Sequence, residues 1–185
     1  HWKHRRQRQM CIRDSVNGCR DRWEDLLRGR LESDVTAGVG EIGLDKWMRD
    51  HDMARQKMAF ASQLEMAQEF QRPAVIHCLK AWGALKDCLD NSPFTGRFLL
   101  HSYSGPAEMI EYFVLRGAWF SISGYFFRED KAAKLAVFDS VPENRILLET
   151  DAPDMHPPEN LIATTLSHPD TGKPANHPAN LSGVY

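Results

Sequence analysis

The stretch RILLETDAP, residues 145–153, runs Ile146-Leu147-Leu148 straight into Glu149, Thr150 and Asp151 before Pro153 ends regular structure. A continuous apolar run of this kind is expected of a strand buried on both faces, as in a parallel sheet. Desolvating a carboxylate is costly, so acids at the mouth of such a strand call for a cation beside them. The pattern recurs along the chain. VTAGVGEIGLD (35–45) leads small and β-branched residues to Glu41 and, past Gly43, to Asp45; PAVIHC (73–78) ends its apolar run in His77, and RFLLHSYSG (97–105) ends its own in His101. Four strand ends therefore carry Glu41, His77, His101 and Asp151.

The segments between them have helical period. DRWEDLLRGRL (21–31) places Trp23, Leu26, Leu27 and Leu31 at helical spacing, and MARQKMAFASQLEMAQEF (53–70) repeats the theme with Met58, Leu64, Met66 and Phe70 among good helix formers before Pro73. AWGALKDCLDNS (81–92), AEMIEYFVLRG (107–117, closed by Gly117) and DKAAKLAVFDSV (130–141) read as further helices, and AWFSISG (118–124) as a strand. Five short strands alternating with helices of about 10 to 18 residues specify an α/β fold of right-handed parallel βα units. Ligands in such sheets sit at the carboxyl ends of the strands, where all four candidate groups fall.

Composition narrows the function classes. At 185 residues and 42% hydrophobic content the chain is long enough for a substantial core and short for two domains. A formal charge of −2 and a pI near 6.5 provide no general basic field for nonspecific nucleic-acid binding, although a local metal would still admit a phosphate-bearing substrate. No apolar run reaches the length of a membrane span, and HWKHRRQRQM at residues 1–10 has no apolar core of a secretory signal. Cys11, Cys19, Cys78 and Cys88 form no C-x-x-C pair, which fits reduced thiols in a cytoplasmic protein. Residues 1–18 are polar and aperiodic, so they are expected to stand apart as a disordered or non-native arm, with 19–185 as the folded domain. RRQRQMCIRDS within it looks like translated adapter sequence; a basic arm touching nucleic acid is the functional alternative.

Each candidate also has a plain structural use: a histidine at a strand end can be a hydrogen-bonded core residue, and an aspartate before Ala-Pro a turn former or N-cap. Glu41, between a glycine and a buried isoleucine, is harder to explain that way. A metal reading accounts for all four at once. Neutral imidazoles with carboxylates suit zinc, manganese or iron, and further carboxylate and water ligands admit magnesium or calcium.

GVGEIGLD, PAVIH, LLHSYSG, ETDAP and the closing NHPANL (176–181), in this order and spacing, resemble the TatD family of metal-dependent hydrolases and nucleases, within the amidohydrolase-like TIM barrels. The resemblance runs from about Trp23 to the end of the chain. It implies a partial (β/α)8 barrel, about five strands of eight, holding one or two divalent cations (Mg, Mn or Zn) that hydrolyse phosphodiester bonds, often in DNA. By resemblance Glu41 is the bridging carboxylate and a catalytic residue, His77 and His101 are ligands, and Asp151 is the final ligand and the base. Glu149 orients neighbours. Lys80, Tyr103 and His156 are the substrate-contact candidates, with Tyr125 a second ring for stacking on a base. DNA or a small phosphoester is the expected partner, with no membrane and no obligate protein partner.

The departures are informative too. The arginine the family carries two residues after the first of these histidines is missing, since Cys78, Leu79 and Lys80 follow His77, and Ser102-Tyr103 stand where Cys-Phe is usual. The family's opening His-x-His strand, its next two strands and its final helix have no counterpart, and His1 and His4 lack the required spacing. An incomplete barrel suggests an inactive fragment. A C–N or lactone hydrolase on the same scaffold is the other alternative.

Overall fold

The computed structural model describes residues 22–167 and 172–185; the expected arm at 1–18 lies outside them. The fold is α/β with five parallel strands, and the chain divides into two compact units. One runs through His101 and takes in Leu115–Ala118; the other comprises Ser102–Val114 and Trp119–Tyr185.

The first unit opens with α1 (Trp23–Ser33), β1 (Val39–Asp45), α2 (Met53–Glu69), β2 (Ala74–Leu79), α3 (Trp82–Asp90) and β3 (Phe98–Leu100). The Asp52 side chain caps α2 by accepting from the amides of Ala54 and Arg55 at 3.0 and 3.1 Å. The apolar face of α2, with Phe60, Leu64, Met66 and Ala67 buried, packs on β1. Strand β2 is paired in parallel on both sides, Ile42 to Ile76 and Gly43 to His77 on one, Val75 to Leu99 and Ile76 to Leu100 on the other. Its Ala74, Ile76 and Cys78 are buried, and His77 takes the alternate side. This register sets where the strand ends open.

The second unit, from which Leu115–Ala118 are excepted, has a 3-10 turn (Ala107–Met109) leading into α4 (Ile110–Leu115), followed by β4 (Ala118–Ser123), a chain of short turns around α5 (Ala132–Leu135), and β5 (Ile146–Glu149). β4 and β5 pair in parallel, Ser121 to Leu147 and Ser123 to Glu149. Two-residue strands β6 (Leu166–Ser167) and β7 (Pro174–Ala175) pair antiparallel, and α6 (Leu181–Val184) closes the chain. The core is aromatic: Tyr103 meets Phe120, Phe113 and Phe138 edge to face, with centroids 5.1, 6.3 and 6.4 Å apart.

Two expectations are corrected. The helix expected over 130–141 breaks into a 3-10 turn, one α-turn and another 3-10 turn. Only Phe138 and Val141 are buried there, so no continuous apolar stripe holds a single α register. Strand β5 is also not buried on both faces, since Leu147 is 42% and Leu148 36% exposed. Among the described residues of this unit, β5 is hydrogen-bonded to β4 and to no strand on its other side.

Candidate functional site

The close approach of β1 to β2 decides the geometry in the first unit. Gly43 has φ of +136°, and a Cβ placed there would lie 1.9 Å from the carbonyl oxygen of His77. With no side chain in the way, Asp45 at the end of β1 reaches the imidazole of His77, Oδ2 to Nε2 at 3.4 Å. The other carboxylate oxygen, Oδ1, accepts from the amides of Trp47 and Met48 at 2.8 and 3.2 Å. The backbone of Asp45 is held twice by the buried Gln56: its amide donates to Oε1 at 2.7 Å, and Nε2 donates to its carbonyl at 2.9 Å. Burial pushes the Asp45 carboxyl up, but His77 and the two amides outweigh it and hold the group below the usual carboxylate range.

A second imidazole–carboxylate pair lies in the same unit, with Glu41 Oε1 3.6 Å from His101 Nε2 and both side chains largely enclosed. The amide of His101 donates to the Ile76 carbonyl at 2.9 Å, which fixes the histidine at the end of β3 relative to β2. Both separations exceed that of a tight hydrogen bond and keep the donor atoms close. Imidazole nitrogen with carboxylate oxygen is a donor chemistry suited to borderline divalent cations. Among the described residues no group of three or more His, Cys, Asp or Glu is arranged to hold a metal ion, so the pairs are the units of the site. Burial drives the Cys78 thiol up to about 12.

Asp151 belongs to the second unit, where it sits in a left-handed turn with φ of +50°, a conformation aspartate tolerates better than most residues. Its carbonyl accepts from the amide of Asp154 at 3.0 Å. Buried Asn176 secures the surrounding loop by donating to the carbonyls of Thr150 and Met155 at 2.7 and 3.1 Å, while its own amide reaches Pro153 O at 2.8 Å. Asn180, also buried, donates to Asn176 Oδ1 at 2.8 Å and accepts from the amides of Ala163 and Thr164. Glu149 accepts from Ser121 Oγ at 2.7 Å and from Ser102 Oγ.

The substrate candidates separate. Tyr103 is corrected: it is fully buried among Phe113, Phe120 and Phe138, and its hydroxyl donates to the Pro106 carbonyl at 2.8 Å, so no ring face is open to a base. Lys80 is exposed, with Nζ 5.8 Å from the Trp47 ring centre. His156 Nε2 lies 3.1 Å from the Pro174 carbonyl. Tyr125 is half-buried beneath Lys131 and Arg128, 5.2 and 5.8 Å from its ring centre. Sequence reasoning gave no role to Asp45, Gln56, Asn176 or Asn180. Asp45 had a signal, since it also closes a buried strand; Gln56 reads as an ordinary helix former and the asparagines as turn formers.

Comparisons with known proteins bear on the family and the fold. The family model described as TatD related DNase matches residues 14–185. A protein of a Pantoea species named 3'-5' ssDNA/RNA exonuclease TatD is 33% identical over 144 residues, covering 72% of this chain and 54% of that protein. The protein of the same name from Citrobacter koseri is 31% identical over 169 residues, covering 87% and 60%. The chain thus spans between half and two thirds of the length of these relatives. Among solved structures, YJJV, a TatD homolog from Escherichia coli, superposes with a TM-score of 0.70 at 25% identity over 86% of this chain and 58% of that one. A TatD family hydrolase from Entamoeba histolytica gives 0.71 at 20% identity over 89% and 60%, which speaks to the fold.

Proposed function

Because the chain belongs to the TatD related DNase family, we propose that the protein is a metal-dependent hydrolase of phosphodiester bonds whose substrate is DNA. The observation that carries this reading is the pair of enclosed imidazole–carboxylate contacts along β1, Glu41 within the strand with His101 just past β3, and Asp45 at its end with His77 within β2. Glu41, His77, His101 and Asp151 are the proposed ligands of one or two divalent cations, magnesium, manganese or zinc. Such a cation, when bound, supplies Lewis acidity toward a phosphoryl oxygen and makes water a stronger acid.

The side chains do the rest. Glu41 is carried on the strand that Gly43 lets approach β2, so its carboxylate is positioned by backbone packing. Asp151 accepts the proton of the attacking water, a role suited to a carboxylate on a turn rather than deep in a strand. Lys80 brings positive charge toward substrate phosphate, and His156 is a further contact for it. No helix among the described residues is long and apolar enough to cross a membrane, and the cytoplasm is the proposed compartment.

The test is hydrolysis of single-stranded DNA by the purified protein with magnesium or manganese, with and without EDTA. Cleavage abolished by EDTA and by Glu41→Ala or Asp151→Asn is the expected result. Metal-dependent cleavage of an amide or lactone panel in its place would move the protein to the other chemistry of this scaffold. DNA cleavage by Asp151→Asn at the wild-type rate would remove Asp151 as the base.

A further inference from the structure

We propose that Asp45 is a positioning residue that fixes the tautomer of His77, so that the imidazole presents Nδ1, not Nε2, to a divalent cation. This rests on the metal-hydrolase reading above. The atoms of Asp45 are separately committed. Oδ1 is taken by the amides of Trp47 and Met48, the main chain is held on both sides by Gln56, and only Oδ2 faces the ring, 3.4 Å from Nε2. A carboxylate so fixed accepts and never donates, so the proton of a neutral imidazole is favoured on Nε2 and the lone pair is left on Nδ1. The supports come from three places in the chain: Gly43 for the approach of the strands, the turn after β1 for Oδ1, and α2 for the backbone. All three lead to one contact, and that contact is with the imidazole that β2 carries beside the end of β1.

A carboxylate behind a ligating histidine is a recurrent way to raise ligand basicity and set ring orientation. Asp45→Asn tests it sharply. With Oδ1 still accepting from Trp47 and Met48, the atom turned toward His77 becomes an amide NH2, a donor, which favours the opposite tautomer. Two readouts are made on the purified protein: long-range nitrogen–proton correlation of the His77 ring without metal, and manganese affinity from the electron paramagnetic resonance of free manganese. The wild type should show the Nε2–H tautomer. Asp45→Asn should shift the ring toward Nδ1–H and weaken manganese binding about 10- to 100-fold. Added to His77→Ala, it should cost nothing further. Asp45→Ala, which removes both the cap and the contact, should abolish the tautomer preference in a chain whose circular dichroism still reports folding.

An unchanged ring spectrum in Asp45→Asn overturns the proposal, as does a changed ring with unchanged affinity. Losses from Asp45→Asn and His77→Ala that add in full also overturn it and make Asp45 a ligand in its own right. Wild-type protein that binds no manganese fails earlier and differently, because it removes the metal reading itself.

Discussion

Strands β2 and β5 invite the same reading from sequence, an apolar run ended by polar site residues, yet they are built differently. β2 is hydrogen-bonded on both edges and buries Ala74, Ile76 and Cys78, so His77 is placed by register and by the closeness of β1. β5 is paired to β4, exposes Leu147 and Leu148, and leads to an Asp151 whose loop is held by side-chain amides from residues 176 and 180. One candidate group is fixed by backbone and the other by a polar network. The two should therefore fail in different ways.

The largest effect is expected at Gly43. A methyl group there meets the His77 carbonyl at 1.9 Å on a backbone at φ of +136°, and backbone cannot swing aside as a side chain can. Gly43→Ala should cost about 3 kcal/mol or more, combining overpacking with backbone strain, and should part β1 from β2. Urea unfolding measures the loss. A near-neutral Gly43→Ala would mean that close strand approach does not position His77. Next comes Ile76→Ala, which empties a fully buried site between two paired edges and should cost about 2 to 5 kcal/mol in the same experiment.

A smaller loss is expected from the polar network. Asn176→Leu removes the side-chain donor to the Thr150 and Met155 carbonyls and one of the two acceptors of the Asn180 amide, at about 1 to 3 kcal/mol for buried polar groups left unsatisfied. Because the loop, not the sheet, depends on these bonds, proteolytic nicking near Asp151 should rise more than global stability falls. Limited proteolysis beside urea unfolding separates the two. Equal losses in both would mean that the Asp151 loop and the sheet unfold as one.

Where physics is local, the sequence was legible. The apolar runs that end in Glu41, His77 and His101 announce their strands, because burial and period are properties of adjacent residues. The Asp45–His77 contact was hidden because it depends on β1–β2 register and on Gln56, 11 residues away on α2. Asn176 was hidden for a similar reason: an asparagine among prolines looks like a turn residue until the carbonyls it serves, 21 and 26 residues earlier, are brought to it. Tyr103 could be only a stacking candidate from sequence, because the aromatic core its ring completes is assembled from residues as distant as Phe138.

The smallest effect is expected at Leu148. Its apolar character made β5 look doubly buried, but burial is conferred by neighbours across the sheet and above it, and at 36% exposure much of this side chain has none. Truncation should therefore remove little apolar contact and leave no enclosed cavity, so Leu148→Ala should cost no more than about 1 kcal/mol, well below Ile76→Ala measured alongside it. The ratio of the two is the informative quantity, since it compares one apolar truncation on a doubly paired strand with another on a singly paired one. Equal costs would mean that something covers Leu148 in solution, and the contrast between β2 and β5 would then belong to the isolated chain rather than to the working protein.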